Sequence, residues 1–366
     1  MDKVAFLEAM LRIPSLSGRE RELSEWLVGE MASLGFTATR DPVGNAIGVA
    51  GPPDAARTIL LLGHMDTVPG QIPIRREDGR LYGRGAVDAK GSLAAMTLAA
   101  AAAAVRLDAV RLVVVGAVEE EAHGRGAQYL RETMPPPDAV VIGEPSGWEG
   151  ITLGYKGSLA VHHRWQSPVS HGASDHRTPA ERAVDFWDHV RSRAAELNVG
   201  RSGAFHTVTA SLREIHTFSD GIRAWSEMEV VLRLPPGLPA AAVRDALAAR
   251  HPDERVTFPY AEPAFRAEKN SPLVRAFLRA IRASSGKPRF KLKTGTSDMN
   301  VVGPAWGCPI VAYGPGDSNL DHTPDEHVEI AEYLRAIDVL VGVLEGTAGE
   351  LLESAEDPVR SSAEAA

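Results

Sequence analysis

Cysteine is nearly absent from this chain: Cys308 is the single cysteine among 366 residues. One cysteine can form neither an intramolecular disulfide framework nor a thiolate cage around a metal ion. Any metal must therefore be held by histidine and carboxylate side chains, a donor set that suits zinc or cobalt in a catalytic site.

Positive charge and long apolar runs are also scarce. The net charge is −9, with 39 Lys and Arg against 48 Asp and Glu, which argues against nucleic acid or an anionic membrane as the main partner. The most apolar run, Leu93 to Val105, is shorter than the roughly 20 residues that span a bilayer and suits a core helix. The N-terminus lacks the basic and apolar regions of a signal peptide. We therefore expect a soluble cytoplasmic protein.

The hydrophobic pattern predicts an α/β fold with two domains. Apolar blocks such as Thr58–Leu62 and Ala139–Ile142 suit parallel strands that are buried on both faces and alternate with helices. After Gly150 the pattern becomes half-polar and follows a β-α-β-β-α-β order, which predicts an inserted, smaller α+β domain of ferredoxin-like type. We expect a mostly parallel-sheet catalytic domain formed by residues 1–155 and 263–348, an insert at 156–262, and a disordered tail at 349–366.

Local signals mark several element boundaries. Residues 2–12 and 19–34 have apolar positions at helical spacing, and Ser17 between them is the expected N-cap of the second helix. A strand is expected at Ala204–Leu212. The long final helix is expected at Glu326–Glu345.

His64 and Asp66 lie just beyond the apolar block Thr58–Leu62, after Gly63. Their spacing of two residues points both side chains the same way. An acidic neighbour would fix the tautomer of a metal-binding imidazole. Asp88, in a tight glycine-flanked loop, can return a carboxylate to the same strand end, which predicts half of a metal site.

Further candidates follow other strand ends. Glu119-Glu120-Glu121 comes after an apolar strand ending at Val118, Glu144 follows Ala139–Ile142, and His322 precedes the last helix. Taken singly, each glutamate is more often a solvated loop residue or a helix N-cap, and His322 is more often a hydrogen-bonded loop histidine. Because ligands bind beyond the carboxyl ends of strands in open α/β sheets, and because adjacent glutamates repel one another without cations, the coincidence favours a site for two divalent ions.

These motifs, in this order, resemble those of the M20 family of metallo-aminoacylases and peptidases, which includes acetylornithine deacetylase and succinyl-diaminopimelate desuccinylase. The matching segments are His64-Met65-Asp66-Thr67-Val68-Pro69, Gly83-Arg84-Gly85 with Asp88-Ala89-Lys90-Gly91, Glu120-Glu121, Gly143-Glu144-Pro145-Ser146, and His322 with Asp325-Glu326.

The resemblance implies a role for each matching residue. Asp88 would bridge two zinc ions, for which Co²⁺ can substitute, and a cis peptide bond would follow it. The other metal ligands would be His64 and Glu144 at one ion, and Glu121 and His322 at the other. Glu120 would be the general base that takes a proton from water and passes it to the leaving amine, and Asp66 would orient His64.

The insert resembles the family's lid and dimerisation domain. Val169-Ser170-His171-Gly172 is similar to a segment whose histidine reaches across a homodimer into the partner's site. The spacing to the following proline departs from the family pattern, so the lid histidine is either His171 or His176; we favour His171.

Residues 291–300 resemble a subgroup that releases lysine, and sometimes ornithine, in lysine biosynthesis through α-aminoadipate. There the amino group is blocked by an acetyl group or by a small acidic carrier protein. The segment Thr294-Gly295-Thr296-Ser297 could bind a substrate carboxylate, with charge from Lys291, Lys293 or Arg233; the lysines could equally lie on a solvated strand edge. Asp298 is a candidate for recognising the lysine ammonium.

Three alternatives remain beside a lysine-releasing hydrolase. The same chemistry could act on N-acetylornithine or a C-terminal glutamyl peptide. Gly83-Arg84-Gly85 suggests nucleotide binding but lacks the strand, turn and helix order of a dinucleotide site. A metal-free docking module for a carrier protein is disfavoured because every ligand type is present.

Overall fold

The computed structural model describes residues 2–171, 175–249 and 251–356. Its chain divides into two compact units. The first comprises Met1–Gly154, Ala267–Lys291 and Ser297–Ala366, and the second comprises Tyr155–Arg266 and Leu292–Thr296. The second unit thus extends beyond the expected insert of 156–262 and takes in a short segment from near residue 295.

The elements follow one another along the chain as helices and mostly short strands. The helices are α1 (Lys3–Leu11), α2 (Arg21–Ser33), α3 (Lys90–Ala104), α4 (Arg125–Thr133), α5 (Pro179–Leu197), α6 (Ala240–Ala246), α7 (Pro272–Ala283), α8 (Asp298–Trp306) and α9 (Ile330–Glu356), with 3₁₀ turns at Ala204–His206 and Ser318–Leu320. The strands are β1 (Thr37–Arg40), β2 (Ala46–Ala50), β3 (Arg57–His64), β4 (Arg75–Glu77), β5 (Arg80–Tyr82), β6 (Val110–Ala117), β7 (Ala139–Gly143), β8 (Gly150–Tyr155), β9 (Gly157–Pro168), β10 (Thr209–Ser219), β11 (Arg223–Leu234), β12 (Glu254–Thr257), β13 (Ala261–Glu262), β14 (Phe265–Arg266), β15 (Arg289–Lys293), β16 (Ile310–Ala312) and β17 (His327–Glu329).

The first unit is built on a mixed sheet. Along it the strands run β1-β2-β6-β3-β7-β16-β8. The four central strands are mutually parallel, with Leu61 of β3 opposite Val114 of β6 and Val141 of β7, and the strands at both ends of this order are antiparallel. The predicted α/β class is confirmed, and the carboxyl ends of the central strands meet at one edge of the sheet.

Strand β3 is buried on both faces, as its continuous apolar sequence predicts. Ile59 and Leu61 join a large core formed with α1, α2, α3, α7 and α9. Leu60 and Leu62 are equally buried, and alternation along the strand directs them to the opposite face. The strand is therefore fixed in register at the point where it delivers His64.

Two glycines allow α3 to pack directly over the ends of β3 and β7. A Cβ added at Gly63 would lie 2.8 Å from Cε of Met96, and one added at Gly143 would lie 2.3 Å from the same atom. The helix that follows Asp88 is thereby held against the carboxyl edge of the sheet.

Within the part of the chain that the structure describes, no helix has both the length and the apolar character that a bilayer crossing requires.

The second unit contains an antiparallel sheet in the order β10-β11-β9-β12, with β13 also paired to β9. Helices α5 and α6 bury their apolar side chains, including Phe186, Val190 and Val243, against this sheet. The chain order β-α-β-β-α-β and the strand order are those of a ferredoxin-like layer, so the predicted class of the insert is confirmed.

Several predicted boundaries were wrong. The final helix begins at Ile330 rather than Glu326, and residues 349–356 continue it, although they were expected in the tail; residues 357–366 lie outside the described residues. The strand expected at Ala204 begins at Thr209. The N-cap of α2 is Glu20, because the hydroxyl of Ser17 bonds instead to Asp66.

Truncation of Phe277 tests the packing of the first unit. Phe277 is fully buried and its ring centroid lies 4.8 Å from that of Tyr313, which follows β16. Phe277→Ala should lower the free energy of unfolding by about 3–5 kcal/mol, because it removes buried surface and leaves a cavity. Chemical denaturation followed by circular dichroism measures this loss.

The matched control is Val105→Ala, at a side chain that is 83% exposed. It should change stability by less than about 0.5 kcal/mol. Equal losses in the two variants would contradict the packing described here.

Candidate metal centre

Three strand ends deliver side chains to one edge of the central sheet. His64 is the last residue of β3, Glu120 and Glu121 lie in the turn after β6, and Glu144 directly follows β7. Asp88 arrives from the loop before α3, and His322 from the loop before β17. Residues far apart in sequence therefore meet where a parallel sheet ordinarily places its ligands.

Asp88 lies between two imidazoles and presents one oxygen to each. Its Oδ1 is 3.2 Å from Nε2 of His64, and its Oδ2 is 3.0 Å from Nε2 of His322. Glu144 Oε1 lies 4.0 Å from His64 Nε2, and Glu121 Oε1 lies 2.8 Å from His322 Nε2. This is the arrangement needed for a carboxylate that bridges two cations.

Two sets of ligand atoms are compact enough to surround a metal ion. In each of the groups His64, Asp88, Glu144 and Asp88, Glu121, His322, one ligand atom per residue lies within 4.8 Å of the others. His64, Glu120 and Glu121 form a third such group. Glu120 thus lies next to the groups His64, Asp88, Glu144 and Asp88, Glu121, His322 but belongs to neither. A carboxylate in this position could transfer a proton.

The loop that carries Asp88 is held by the buried carboxylate of Glu326. Its Oε1 accepts the backbone N–H groups of Gly85, Val87 and Asp88 at 2.9, 3.0 and 3.1 Å. Its Oε2 lies 2.7 Å from Nη1 of Arg84. The peptide bond from Asp88 to Ala89 is cis, as the resemblance implied. Sequence reasoning included Glu326 in a motif but gave it no role.

Asp66 contacts His64 through its backbone oxygen and, at a longer distance, through the carboxylate that was expected to orient the imidazole. Nδ1 of His64 lies 3.0 Å from the backbone oxygen of Asp66 but 3.6 Å from Oδ1 of its carboxylate. Because a carbonyl can only accept, this contact keeps the proton on Nδ1 and leaves the lone pair of Nε2 for a metal. The carboxylate also accepts the backbone N–H groups of Glu120 and Glu121, each at 3.0 Å.

Proximity of so many carboxylates perturbs their protonation. Burial raises the pKa of Glu120 well above its usual value, and Glu144, Glu121 and Asp298 add to this rise against the opposing effect of His64. Burial also raises the pKa of Glu121. Hydrogen bonds to Asp88 and Glu121 raise the pKa of His322 to about 10. Without cations the cluster must therefore hold extra protons, which metal binding would displace.

The donor set fits a pair of divalent cations. It consists of two imidazoles and three carboxylates, with Asp88 shared, and contains no thiolate. Such nitrogen and oxygen ligands suit zinc or cobalt, and three protein ligands at each ion leave coordination positions for water and substrate.

The candidate carboxylate-binding residues divide between the two units. Lys291 lies in the first unit, where it lines a cavity of about 450 Å³ with Trp148, Glu332 and Arg335. Ser297, also in the first unit, caps α8 by accepting the N–H of Met299. Its hydroxyl thus has a structural function.

The remaining candidates lie in the second unit: Arg233, Lys293, Thr294, Gly295 and Thr296. There Nη1 of Arg233 donates to Oγ1 of Thr296 at 2.9 Å, which joins two of the predicted residues. His171 and His176 are exposed in the same unit. Gly172 of the proposed lid motif, with residues 173 and 174, lies outside the described residues.

Comparison with known proteins identifies relatives over most of the chain. Residues 60–346 match the model of the family described as Peptidase family M20/M25/M40. A [LysW]-lysine hydrolase from Deinococcus radiodurans is 46% identical over 91% of this chain and 93% of the relative. A Thermococcus kodakarensis protein, provisionally named a [LysW]-lysine/[LysW]-ornithine hydrolase, is 41% identical over 97% of this chain and 95% of its own.

A solved structure shares the fold. The M20 family metallo-carboxypeptidase Sso-CP2 from Sulfolobus solfataricus matches with a TM-score of 0.75 and 20% identity over 95% of this chain and 99% of that protein. At this identity the likeness concerns architecture, and it agrees with the sheet and insert described above.

Removal of the shared carboxylate tests the metal centre. Asp88→Ala should lose bound metal, because Asp88 supplies one oxygen to each group of ligands. Inductively coupled plasma mass spectrometry, after loading with zinc and desalting, measures the metal content of each variant.

Glu119→Gln is the matched control. Its carboxylate belongs to the same acidic run but pairs with Arg125 at 2.9 Å, so this variant should retain the metal content of the unmodified protein. Full occupancy in Asp88→Ala would contradict a bridging position.

Proposed function

The chain belongs to peptidase family M20/M25/M40, and from this premise we propose that it is a two-zinc amide hydrolase that releases L-lysine from a carrier-linked, N2-blocked form. The observation that carries the proposal is the position of Asp88 between His64 and His322, with Glu144 and Glu121 completing the two groups. Cobalt is a second metal that the same donors would accept.

The proposed substrate is inferred from the names of the relatives. Proteins at 46% and 41% identity across nearly the whole chain carry names in which lysine is joined to LysW. This agrees with the carrier-linked form, which is one of the two blocked forms, acetylated or carrier-linked, that residues 291–300 suggest. Ornithine is the second candidate product, because the Thermococcus kodakarensis name includes it.

The residues have distinct tasks in such a reaction. His64, Asp88 and Glu144 would hold one cation, and Asp88, Glu121 and His322 the other. When bound, the cations supply Lewis acidity that lowers the pKa of water and polarises the amide carbonyl. Glu120 takes a proton from the attacking water and delivers it to the nitrogen of the departing lysine, so that the amine leaves neutral.

The surroundings of Glu120 suit proton transfer. A carboxylate in ordinary solution is too weak a base at neutral pH, whereas burial and neighbouring carboxylates raise the pKa of Glu120. Nearby cations would draw that pKa back down. Asp298 is buried and its charge adds to the raised pKa of Glu120; we keep it as the candidate for recognising the ammonium of lysine.

We propose that the second unit is the lid and dimerisation domain of a cytoplasmic homodimer. His171 would be its lid histidine, and Arg233 with residues 293–296 would bind a substrate carboxylate. Its edge strand β10 exposes Leu212, Ile215 and Phe218, which are 36%, 43% and 45% accessible. An uncovered apolar edge strand invites pairing, and a second copy would satisfy it.

Replacement of the base separates chemistry from metal binding. Glu120→Gln should lower kcat at least about 100-fold, since it removes general acid–base catalysis, while metal content stays unchanged because the remaining ligands are intact. Steady-state kinetics and metal analysis on the same preparation measure both quantities. Glu119→Gln should keep kcat, and near-full activity of Glu120→Gln would exclude it as the base.

A substrate comparison tests the proposed specificity. We expect kcat/KM for LysW-linked lysine to exceed those for N2-acetyl-lysine and N-acetylornithine by at least about tenfold, which corresponds to about 1.4 kcal/mol. The hydrolytic activity should require added Zn²⁺ or Co²⁺, and EDTA should abolish it. A higher kcat/KM for N-acetylornithine would assign the chain to a different member of the family.

A further inference from the structure

The segment Ser15–Glu20, here called the N-terminal turn, packs against the chain that leaves β3. Oγ of Ser15 donates to the backbone oxygen of Met65 at 2.7 Å, and the N–H of Thr67 donates to the backbone oxygen of Ser15 at 2.9 Å. Ser15 is buried. The turn is therefore anchored beside His64 and Asp66, although the sequence predicts here only an N-cap at Ser17.

Ser17 extends this contact to the carboxylate of Asp66. Its hydroxyl donates to Oδ2 of Asp66 at 2.7 Å. Asp66 is fully buried and accepts the backbone N–H groups of Glu120 and Glu121. A hydroxyl that fixes Asp66 thus also fixes the backbone from which Glu120 and Glu121 extend.

Glu20 makes a second, independent connection to the same segment. It is only 4% exposed, and its Oε1 accepts the N–H of Gly18 at 2.9 Å and that of Glu119 at 3.0 Å. Glu119 has a φ of 59°, an unusual conformation for a residue with a side chain. Three successive N–H groups, from Glu119 to Glu121, are therefore held by two buried carboxylates.

We propose that Ser17 and Glu20 are positioning residues that fix the segment carrying the general base and one metal ligand. The inference rests on the proposed function for its effect on turnover. Ser17 acts through Asp66, and Glu20 acts on the backbone of Glu119. Neither side chain belongs to the groups of potential ligands, so their removal should alter the placement of Glu120 while the metal ligands remain.

The expected effect is large for so small a change. Displacing a reacting group by about 1 Å can cost about 100-fold in rate, and loss of a group that supports a ligand commonly costs about 10–100-fold. Ser17→Ala should therefore lower kcat about 10–100-fold and leave KM within about twofold, since the base acts in the transition state and not in substrate binding.

The experiment compares Ser17→Ala with Ser17→Thr and Ser24→Ala in the full-length, zinc-loaded protein. Threonine keeps the hydroxyl and should restore kcat. Ser24 is fully buried, and its hydroxyl donates to the backbone oxygen of Gly44 at 2.7 Å and accepts from Nε of Arg40 at 3.0 Å. Ser24→Ala therefore also removes the hydrogen bonds of a serine hydroxyl, but at a site without contact to Asp66, and should leave kcat unchanged.

Hydrogen–deuterium exchange gives a readout that does not depend on turnover. In Ser17→Ala, the peptide containing Glu119 to Glu121 should exchange faster than in the unmodified protein, while metal content stays the same. Glu20→Gln is the second variant, needed if Ser17→Ala fails to fold. Because a neutral amide accepts more weakly than a carboxylate, it should act in the same direction to a smaller extent.

The outcomes are distinct. Unchanged kcat in Ser17→Ala, no rescue by Ser17→Thr, or an equal loss in Ser24→Ala would overturn the positioning role. If the unmodified protein hydrolyses none of the candidate amides, the proposed function fails and exchange alone decides the inference. Faster exchange of this peptide would then support it, and unchanged exchange would overturn it.

Discussion

The fold gathers several carboxylates at one edge of its central sheet, and their mutual repulsion must be relieved for the structure to form. Asp88, Glu120, Glu121 and Glu144 converge there with two imidazoles. Two like charges about 4 Å apart repel by about 4 kcal/mol at an effective dielectric constant of 20. Protons relieve this repulsion in the metal-free protein, and divalent cations relieve it while also providing a catalytic centre.

A second layer of carboxylates holds this cluster in place. Glu326 accepts three N–H groups of the Asp88 loop, Asp66 accepts two of the turn after β6, and Glu20 accepts the N–H that precedes them. Backbone dipoles, with Arg84 beside Glu326, offset these buried charges. The carboxylates of Asp88, Glu121 and Glu144 thus belong to the candidate ligand groups, whereas those of Glu326, Asp66 and Glu20 accept backbone N–H groups.

The sequence predicted the features that follow from local chemistry. The apolar blocks Thr58–Leu62 and Ala139–Ile142 identified buried strands, and the residues that follow them identified the edge at which His64 and Glu144 meet. The contacts of Ser17 and Glu326 could not be predicted in this way. Ser17 is a residue type that commonly caps helices, but its hydroxyl donates to the carboxylate of Asp66, which lies 49 positions away. Glu326 was predicted as the start of the final helix, yet the backbone N–H groups that donate to its carboxylate lie 238 to 241 positions earlier.

A crystal structure grown with zinc, with anomalous data collected at the zinc absorption edge, tests the central claim most directly. We predict two anomalous peaks about 3.5–4 Å apart, with one oxygen of Asp88 directed to each. His64 and Glu144 should coordinate one ion, and Glu121 and His322 the other. Absence of density between these side chains, or a single ion without contact to Asp88, would contradict the account.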